Sequence, residues 1–172
     1  EYIYPSGGIK VRKLSDKAFY AKDGFKGDEL FGMNLFPAGC SKMVTITEGE
    51  LDALSAAQML KSQYTNPVVS LPSATPSKKL WENCKDWLGS FEKIVLSVDN
   101  DDAGNALADR MARLFPNKIY RMQHGEFKDA NDFLKAGKSA EFKNLWWKPV
   151  KHTPENILNT ADQFLKLYDE TQ

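Results

Sequence analysis

Short apolar runs alternate along most of this chain with stretches in which apolar residues recur every three or four positions. The first pattern suits buried strands and the second suits amphipathic helices. Met43–Thr47 reads as a strand, followed by a helix over Glu50–Lys61 with Leu51, Leu54, Ala57 and Met59 turned inward. Pro67–Leu71 is a second short strand, and Ser77 caps a helix carrying Leu80, Trp81, Cys84 and Leu88 at helical spacing. Ile94–Val98 is a third strand, apolar enough to be covered on both faces. A helix over Ala103–Leu114 follows, with Leu107, Met111 and Leu114 inward, then a fourth strand over Lys118–Met122. A loop from Gly125 to Asp132 leads into a short helix ending near Ala136, and residues 138–150 read as a last helix packing Phe142, Leu145 and Trp146. Strands alternating with helices in this way predict an α/β fold with a central, mainly parallel sheet flanked by helices on both faces.

The two ends of the chain read differently. Residues 1–38 form a small, basic, β-rich subdomain in which Ile9–Leu14 alternates apolar and basic residues, Ser15-Asp16-Lys17 turns, and Ala18–Tyr20 returns. Leu30, Phe31, Leu35 and Phe36 are expected to tuck this lobe onto the α/β body of residues 39–148. Residues 149–172 read as a linker and a C-terminal helix, with Pro154 at its first turn and an apolar stripe of Ile157, Leu158, Ala161, Phe164, Leu165 and Tyr168. That stripe suits folding back on this chain or docking on another subunit.

Composition narrows the picture only in part. The 172 residues suit about one domain. With 23 basic and 23 acidic residues the formal charge is zero, so any surface for nucleic acid has to be local. Cys40 and Cys84 are the only cysteines and lack C-x-x-C spacing, so no zinc is expected in this chain. No apolar run approaches transmembrane length and no signal peptide is visible, which predicts a cytoplasmic protein without a membrane partner. A start without Met points to a segment of a longer protein.

The candidate chemistry lies at strand ends. Glu48 follows the first strand, and Asp99 and Asp101 follow the third, two residues apart. Parallel neighbours would bring these carboxylates to one edge, and open α/β sheets bind ligands outside the carboxyl ends of their strands. Hard oxygen donors in this arrangement suit Mg²⁺, with Mn²⁺ as a substitute. Glu48 is equally placed to act as a general acid or base. Asp52, one helical turn on, suits a supporting hydrogen bond. Asp129 follows the fourth strand as a further possible ligand, and Lys128 beside it suits a phosphate. Asp102 and Asn131 read as helix caps, and His124 and His152 as isolated surface residues. Ser70 and Ser73 have no His–Asp partner pattern, which excludes a serine hydrolase.

Thr47-Glu48-Gly49-Glu50-Leu51-Asp52-Ala53-Leu54 together with Val98-Asp99-Asn100-Asp101-Asp102-Ala103-Gly104 resembles the TOPRIM fold of primases, topoisomerases and some nucleases. Adding Gly8–Arg12, Lys17-Ala18-Phe19, Leu30-Phe31-Gly32, Val68–Leu71 and Lys128–Asn131, the chain resembles the RNA-polymerase (primase) domain of bacteriophage bifunctional primase–helicases over residues 8–150. The resemblance implies template-directed synthesis of short RNA primers on single-stranded DNA from NTPs. It implies a metal-binding acidic site at Glu48, Asp99, Asp101 and Asp129, and nucleotide contacts by Lys10, Arg12 and Lys17. The spacing from Lys10 to Lys17 is one residue longer than the family pattern. The implied partners are a zinc-binding module and a helicase module of the same full-length protein, with a possible hexameric ring through the helicase, in the cytoplasm of an infected bacterial host. This chain has neither a four-cysteine ribbon nor a G-x-x-x-x-G-K-[ST] loop. The alternatives are a TOPRIM metal-dependent nuclease and a non-catalytic, DNA-binding primase-like lobe.

Overall fold

The computed structural model describes residues 1–16 and 18–154. Lys17 and the helix expected over residues 155–172 lie outside the described residues. Two sheets are present. Tyr2–Ile3 (β1), Ile9–Arg12 (β2) and Phe19–Lys22 (β3) form an antiparallel ribbon. The second sheet has five strands, Met43–Thr47 (β4), Val68–Ser70 (β5), Lys93–Ser97 (β6), Ile119–Arg121 (β7) and Val150–Lys151 (β8), in the order β5-β4-β6-β7-β8. The first four are parallel and β8 runs antiparallel to β7.

The β8 strand is a difference from the sequence reading, which began a linker at residue 149. Val150 pairs with Arg121, and the His152 amide reaches the Ile119 carbonyl at 2.9 Å. Two paired residues flanked by Pro149 are too short for a periodic signal. The last helix also stops earlier than residue 150, spanning Ser139–Trp146.

The helices are Glu50–Met59 (α1), Lys78–Gly89 (α2), Asp102–Leu114 (α3), Ala130–Lys135 (α4) and Ser139–Trp146 (α5). They cover both faces of the sheet, and two apolar clusters result. On one face Val44, Ile46, Ile94 and Leu96 pack with Leu80, Cys84, Leu88 and Met111 from α2 and α3. On the other, Val68 and Val95 pack with Ala53, Ala56, Phe133, Phe142 and Trp146 from α1, α4 and α5. Alternate residues of β6 thus enter opposite clusters, as the period of a strand requires. No helix among the described residues is long and apolar enough to cross a membrane.

The orientation of α1 corrects the sequence reading. Leu51 and Leu54 are 38% and 51% exposed and Ala57 faces solvent, whereas Glu50, Ala53, Ser55, Ala56 and Met59 are buried. Apolar residues occur on nearly every side of this helix, so helical spacing alone does not select the buried face. The small side chains of Ala53, Ser55 and Ala56 permit close packing against β5 and α4. Leu114 on α3 (39%) and Leu35 (69%) are likewise more exposed than expected.

The ribbon joins the body at two places. Phe31 and Ser70 exchange backbone hydrogen bonds of 3.0 and 3.2 Å, extending the β5 edge. Tyr4 is buried against Phe25 and Phe31. Its hydroxyl donates to Glu50 Oε1 at 2.6 Å. The same oxygen accepts from Lys10 Nζ at 2.7 Å, and Lys10 also donates to the Pro72 carbonyl at 2.8 Å. Burial, then the hydrogen bond to Glu50, raises the Tyr4 phenol far above its ordinary range, so it stays a donor.

Candidate functional site at the acidic edge

The chain leaves β4, crosses to β5 on one side, and returns to β6 on the other side of β4. The gap between the carboxyl ends of β4 and β6 is therefore a topological switch point. Glu48 and Asp99 stand there. Glu48 Oε1 accepts the Asp99 amide at 2.9 Å, which fixes one carboxylate beside the other. Asp101 is the N-cap of α3: its Oδ1 accepts from the Gly104 amide at 2.9 Å. Asp129 caps α4 through the Asp132 amide at 2.9 Å. The caps are thus Asp101 and Asp129 rather than Asp102 and Asn131. Asp102 and Asn131 lie within the first turns instead.

Lys128 Nζ lies 3.4 Å from Asp99 Oδ2, with its side chain 72% exposed. Its hydrogen bond to Asp99 raises its pKa. Two clefts flank this lysine. One, of about 560 Å³, is lined by Asp99, Asp101, His124, Phe127 and Lys128. The other, of about 380 Å³, is lined by Arg12, Asp52, Lys128, Asp129, Asn131 and Lys135. A larger cleft of about 620 Å³ lies at the opposite end of the sheet, by Met43, Lys93 and Trp147, away from this chemistry. The structure therefore groups Glu48, Asp99 and Asp101 at one place and Asp52 with Asp129 at another, with Lys128 between. Among the described residues no three carboxylate, histidine or cysteine side chains converge as a ready-made ligand cluster. Lys10 and Arg12 sit on the same face of β2; Arg12 lines a cleft, whereas the Lys10 ammonium is held by Glu50 and Pro72.

The edge carries more negative charge than its cations offset. Burial raises the pKa of Glu48, and the charges of Asp99 and Asp101 add to the rise against the lowering effect of the Asp99 amide. Asp52 is pushed up to about 6 by burial, then by Asp129, while the Asn131 amide, 3.3 Å from its Oδ1, acts the other way. Asp52 thus ties α1 to the first turn of α4.

Asp52 gives the edge a pH signature. In the folded chain it keeps its proton to about pH 6, against an ordinary value of 3.8. Its contribution to stability is complete below that ordinary value and is lost as pH rises through the folded value. Without divalent cations, Asp52→Asn should remove this loss. Thermal midpoints measured from about pH 4 to about pH 7 should rise in the variant relative to the wild type across the window. A difference that stays constant with pH would contradict it.

Three supporting residues were not legible as such. Arg121, 9% exposed on β7, donates to the Asp99 carbonyl at 2.9 Å and to Asn105 Oδ1. It ties the Asp99 backbone to β7 and α3. His124 is 8% exposed, not a surface residue. Its Nδ1 lies 3.1 Å from the Lys128 carbonyl, which can only accept, so Nδ1 carries the proton and Nε2 accepts from Ser97 Oγ at 2.9 Å. Burial lowers its pKa and favours this neutral form. His152 also has a partner, Asp109 Oδ1 at 2.7 Å.

Gly104 is the third. A Cβ there would lie 2.0 Å from the Asp99 carbonyl oxygen and 3.4 Å from Arg121 Nη2. Glycine is required because the first turn of α3 rests on the backbone that presents Asp99. Gly104→Ala should cost about 1–3 kcal/mol of unfolding free energy, measured by denaturant titration. A change within a few tenths of a kcal/mol would mean that the Asp99 loop yields freely.

Residues 45–134 match the Toprim-like family. The chain belongs to that family. It is 30% identical over 162 residues to the DNA helicase/primase of Enterobacteria phage T3, covering 92% of this chain and 28% of that protein. The crystal structure of the primase fragment of the bacteriophage T7 primase–helicase superposes with a TM-score of 0.71 at 32% identity, covering 86% of this chain and 61% of that one. A primase domain of bacteriophage T7, in a structure with lagging-strand DNA polymerase, an RNA/DNA hybrid and dTTP, superposes with a TM-score of 0.73 at 31% identity, covering 88% and 76%. Within the Toprim-like family the chain thus goes with the primase domains of phage primase–helicases. It spans 28% of the length of the T3 relative.

Proposed function

We propose that this chain is the catalytic domain of a DNA primase and makes short RNA primers on a single-stranded DNA template. The observation that carries the reading is the meeting of Glu48, Asp99 and Asp101 at the switch point of a Toprim-like sheet that aligns with phage primase domains. The reaction joins a 3′-hydroxyl to the α-phosphorus of an incoming NTP and releases pyrophosphate. The T7 primase domains occur in a structure together with the lagging-strand DNA polymerase and an RNA/DNA hybrid, which supports a DNA template.

The donor set fits Mg²⁺ or Mn²⁺. Hard oxygens of Glu48, Asp99 and Asp101 repel one another at this edge, and magnesium takes only one or two carboxylates and keeps its waters. Those three residues would hold the ion, with Asp129 a further ligand from the neighbouring cleft. When bound, the ion supplies charge stabilisation for the attacking and departing oxygens. Asp101 leaves one oxygen free of its cap, and Glu48, with its raised pKa, can hold a proton beside Asp99. Lys128 and Arg12 present cationic groups to the two clefts and suit the triphosphate. We assign the remaining implied partners to the full-length protein: a zinc-binding module, a helicase and its hexameric ring, in the cytoplasm of an infected bacterium.

The test is extension of a short RNA primer with labelled NTPs on single-stranded DNA in Mg²⁺ or Mn²⁺. Template-dependent products support the primase. A shortened template without extension favours the nuclease. Neither change, even with a zinc-binding module added in trans, leaves a non-catalytic lobe.

A further inference from the structure

The face of the ribbon that bears Lys10 and Arg12 carries a feature that the acidic edge does not explain. All four residues of β3 are exposed, and Phe19 is 51% exposed, although a phenylalanine facing water forgoes hydrophobic stabilisation. Phe19 lies directly opposite Arg12 in the β2–β3 register. Lys10 Nζ lies over its ring at 4.6 Å from the centroid, and the Arg12 guanidinium at 5.7 Å. The ring therefore has two cationic groups against it on one face of the ribbon and stays half exposed. This face adjoins the site, since Arg12 lines the cleft with Asp52 and Asp129.

We propose that Phe19 is a stacking platform for a base of the single-stranded DNA template, with Arg12 beside it on the backbone phosphate. The inference rests on the primase reading and adds a residue to it. An aromatic ring among cations is the chemistry that holds single strands without reading their sequence. One feature favours a strand over a free nucleotide. The ring lies on an open ribbon, whereas small ligands are held in concave pockets that bury most of their surface. The buried Glu50 holds the Lys10 ammonium, which keeps the inner side of the platform fixed.

The experiment is a fluorescence-anisotropy titration of a labelled oligodeoxythymidylate, and of an abasic strand of equal length, with wild-type chain, Phe19→Ala and Phe19→Trp. Circular dichroism checks the fold of each. Phe19→Ala should weaken oligodeoxythymidylate binding about 5- to 150-fold and leave abasic-strand binding unchanged. The Phe19→Trp emission, after subtraction of the wild-type signal, should be quenched by the oligodeoxythymidylate and not by the abasic strand. Equal losses on both strands would show that Phe19 only positions Arg12, which overturns stacking. Unchanged binding would also overturn it. A loss confined to NTP affinity would move the base to the incoming nucleotide and overturn the template assignment. Failure of the wild type to bind any single strand would instead sink the primase reading on which the inference rests.

Discussion

Asp101→Asn should reduce primer extension at least about 1,000-fold with the fold intact. Removal of a group that acts on developing charge in the transition state has effects of that order. The substitution separates charge from structure cleanly at this position. Asp101 caps α3 through the Gly104 amide, and an asparagine side-chain oxygen caps a helix as well as aspartate does. Helix α3 should therefore stay in place, and thermal unfolding of the metal-free variant should match or slightly exceed that of the wild type. Relief of repulsion on Glu48 works in the same direction. The pair of measurements is extension kinetics and a melting curve. Activity within tenfold of wild type, in a folded variant, would remove Asp101 from the catalytic edge.

The second large effect is on stability and comes from Glu50. Its side chain is 3% exposed and accepts from Lys10 and Tyr4 through one oxygen. Glu50→Ala strands the Lys10 ammonium, which is 13% exposed, and leaves the Tyr4 hydroxyl without its acceptor. Breaking a buried ion pair by removing one partner costs about 3–5 kcal/mol. Lys10→Met combined with Glu50→Gln should cost much less, because no charge is then left buried and Gln still accepts from Tyr4. Denaturant titrations of the single and double variants give the comparison. A double variant no more stable than Glu50→Ala would show that the pair does not act as a unit. The position is informative because the resemblance offered Lys10 as a nucleotide contact, and nothing in the sequence marked Glu50 as its partner. A nucleotide contact alone does not predict that losing Glu50 destabilises the join between the ribbon and the body.

The fold was legible where the chemistry of the chain was local. β-Branched runs ending at Glu48 and Asp99 gave β4 and β6, and Ser77 marked the start of α2 through its hydroxyl on the Leu80 amide. The acidic edge was legible because both motifs follow strands, and a parallel sheet puts the ends of its strands together. What escaped the reading depended on long-range packing. The inward face of α1 is chosen by the space left beside β5 and α4, not by its own periodicity. Arg121 looks like any strand residue until β7 is set beside β6, where it reaches the Asp99 carbonyl. His124 carries no spacing signal, since its partners are Ser97, 27 residues away, and a backbone carbonyl. Asp129 was found as an acid after a strand, but its place in a different cleft from Asp101 depends on where Lys128 falls.

The short β8 has a practical bearing on where this domain can be cut. β7 is only three residues long, and without β8 its outer row of amides and carbonyls would end the sheet uncovered. Open strand edges recruit other strands and drive self-association. A fragment trimmed at Lys148, where the α/β helices have all been completed, would keep the acidic edge yet expose that row. The smallest well-behaved piece of this protein therefore extends through His152, whose amide makes the last cross-strand bond to Ile119.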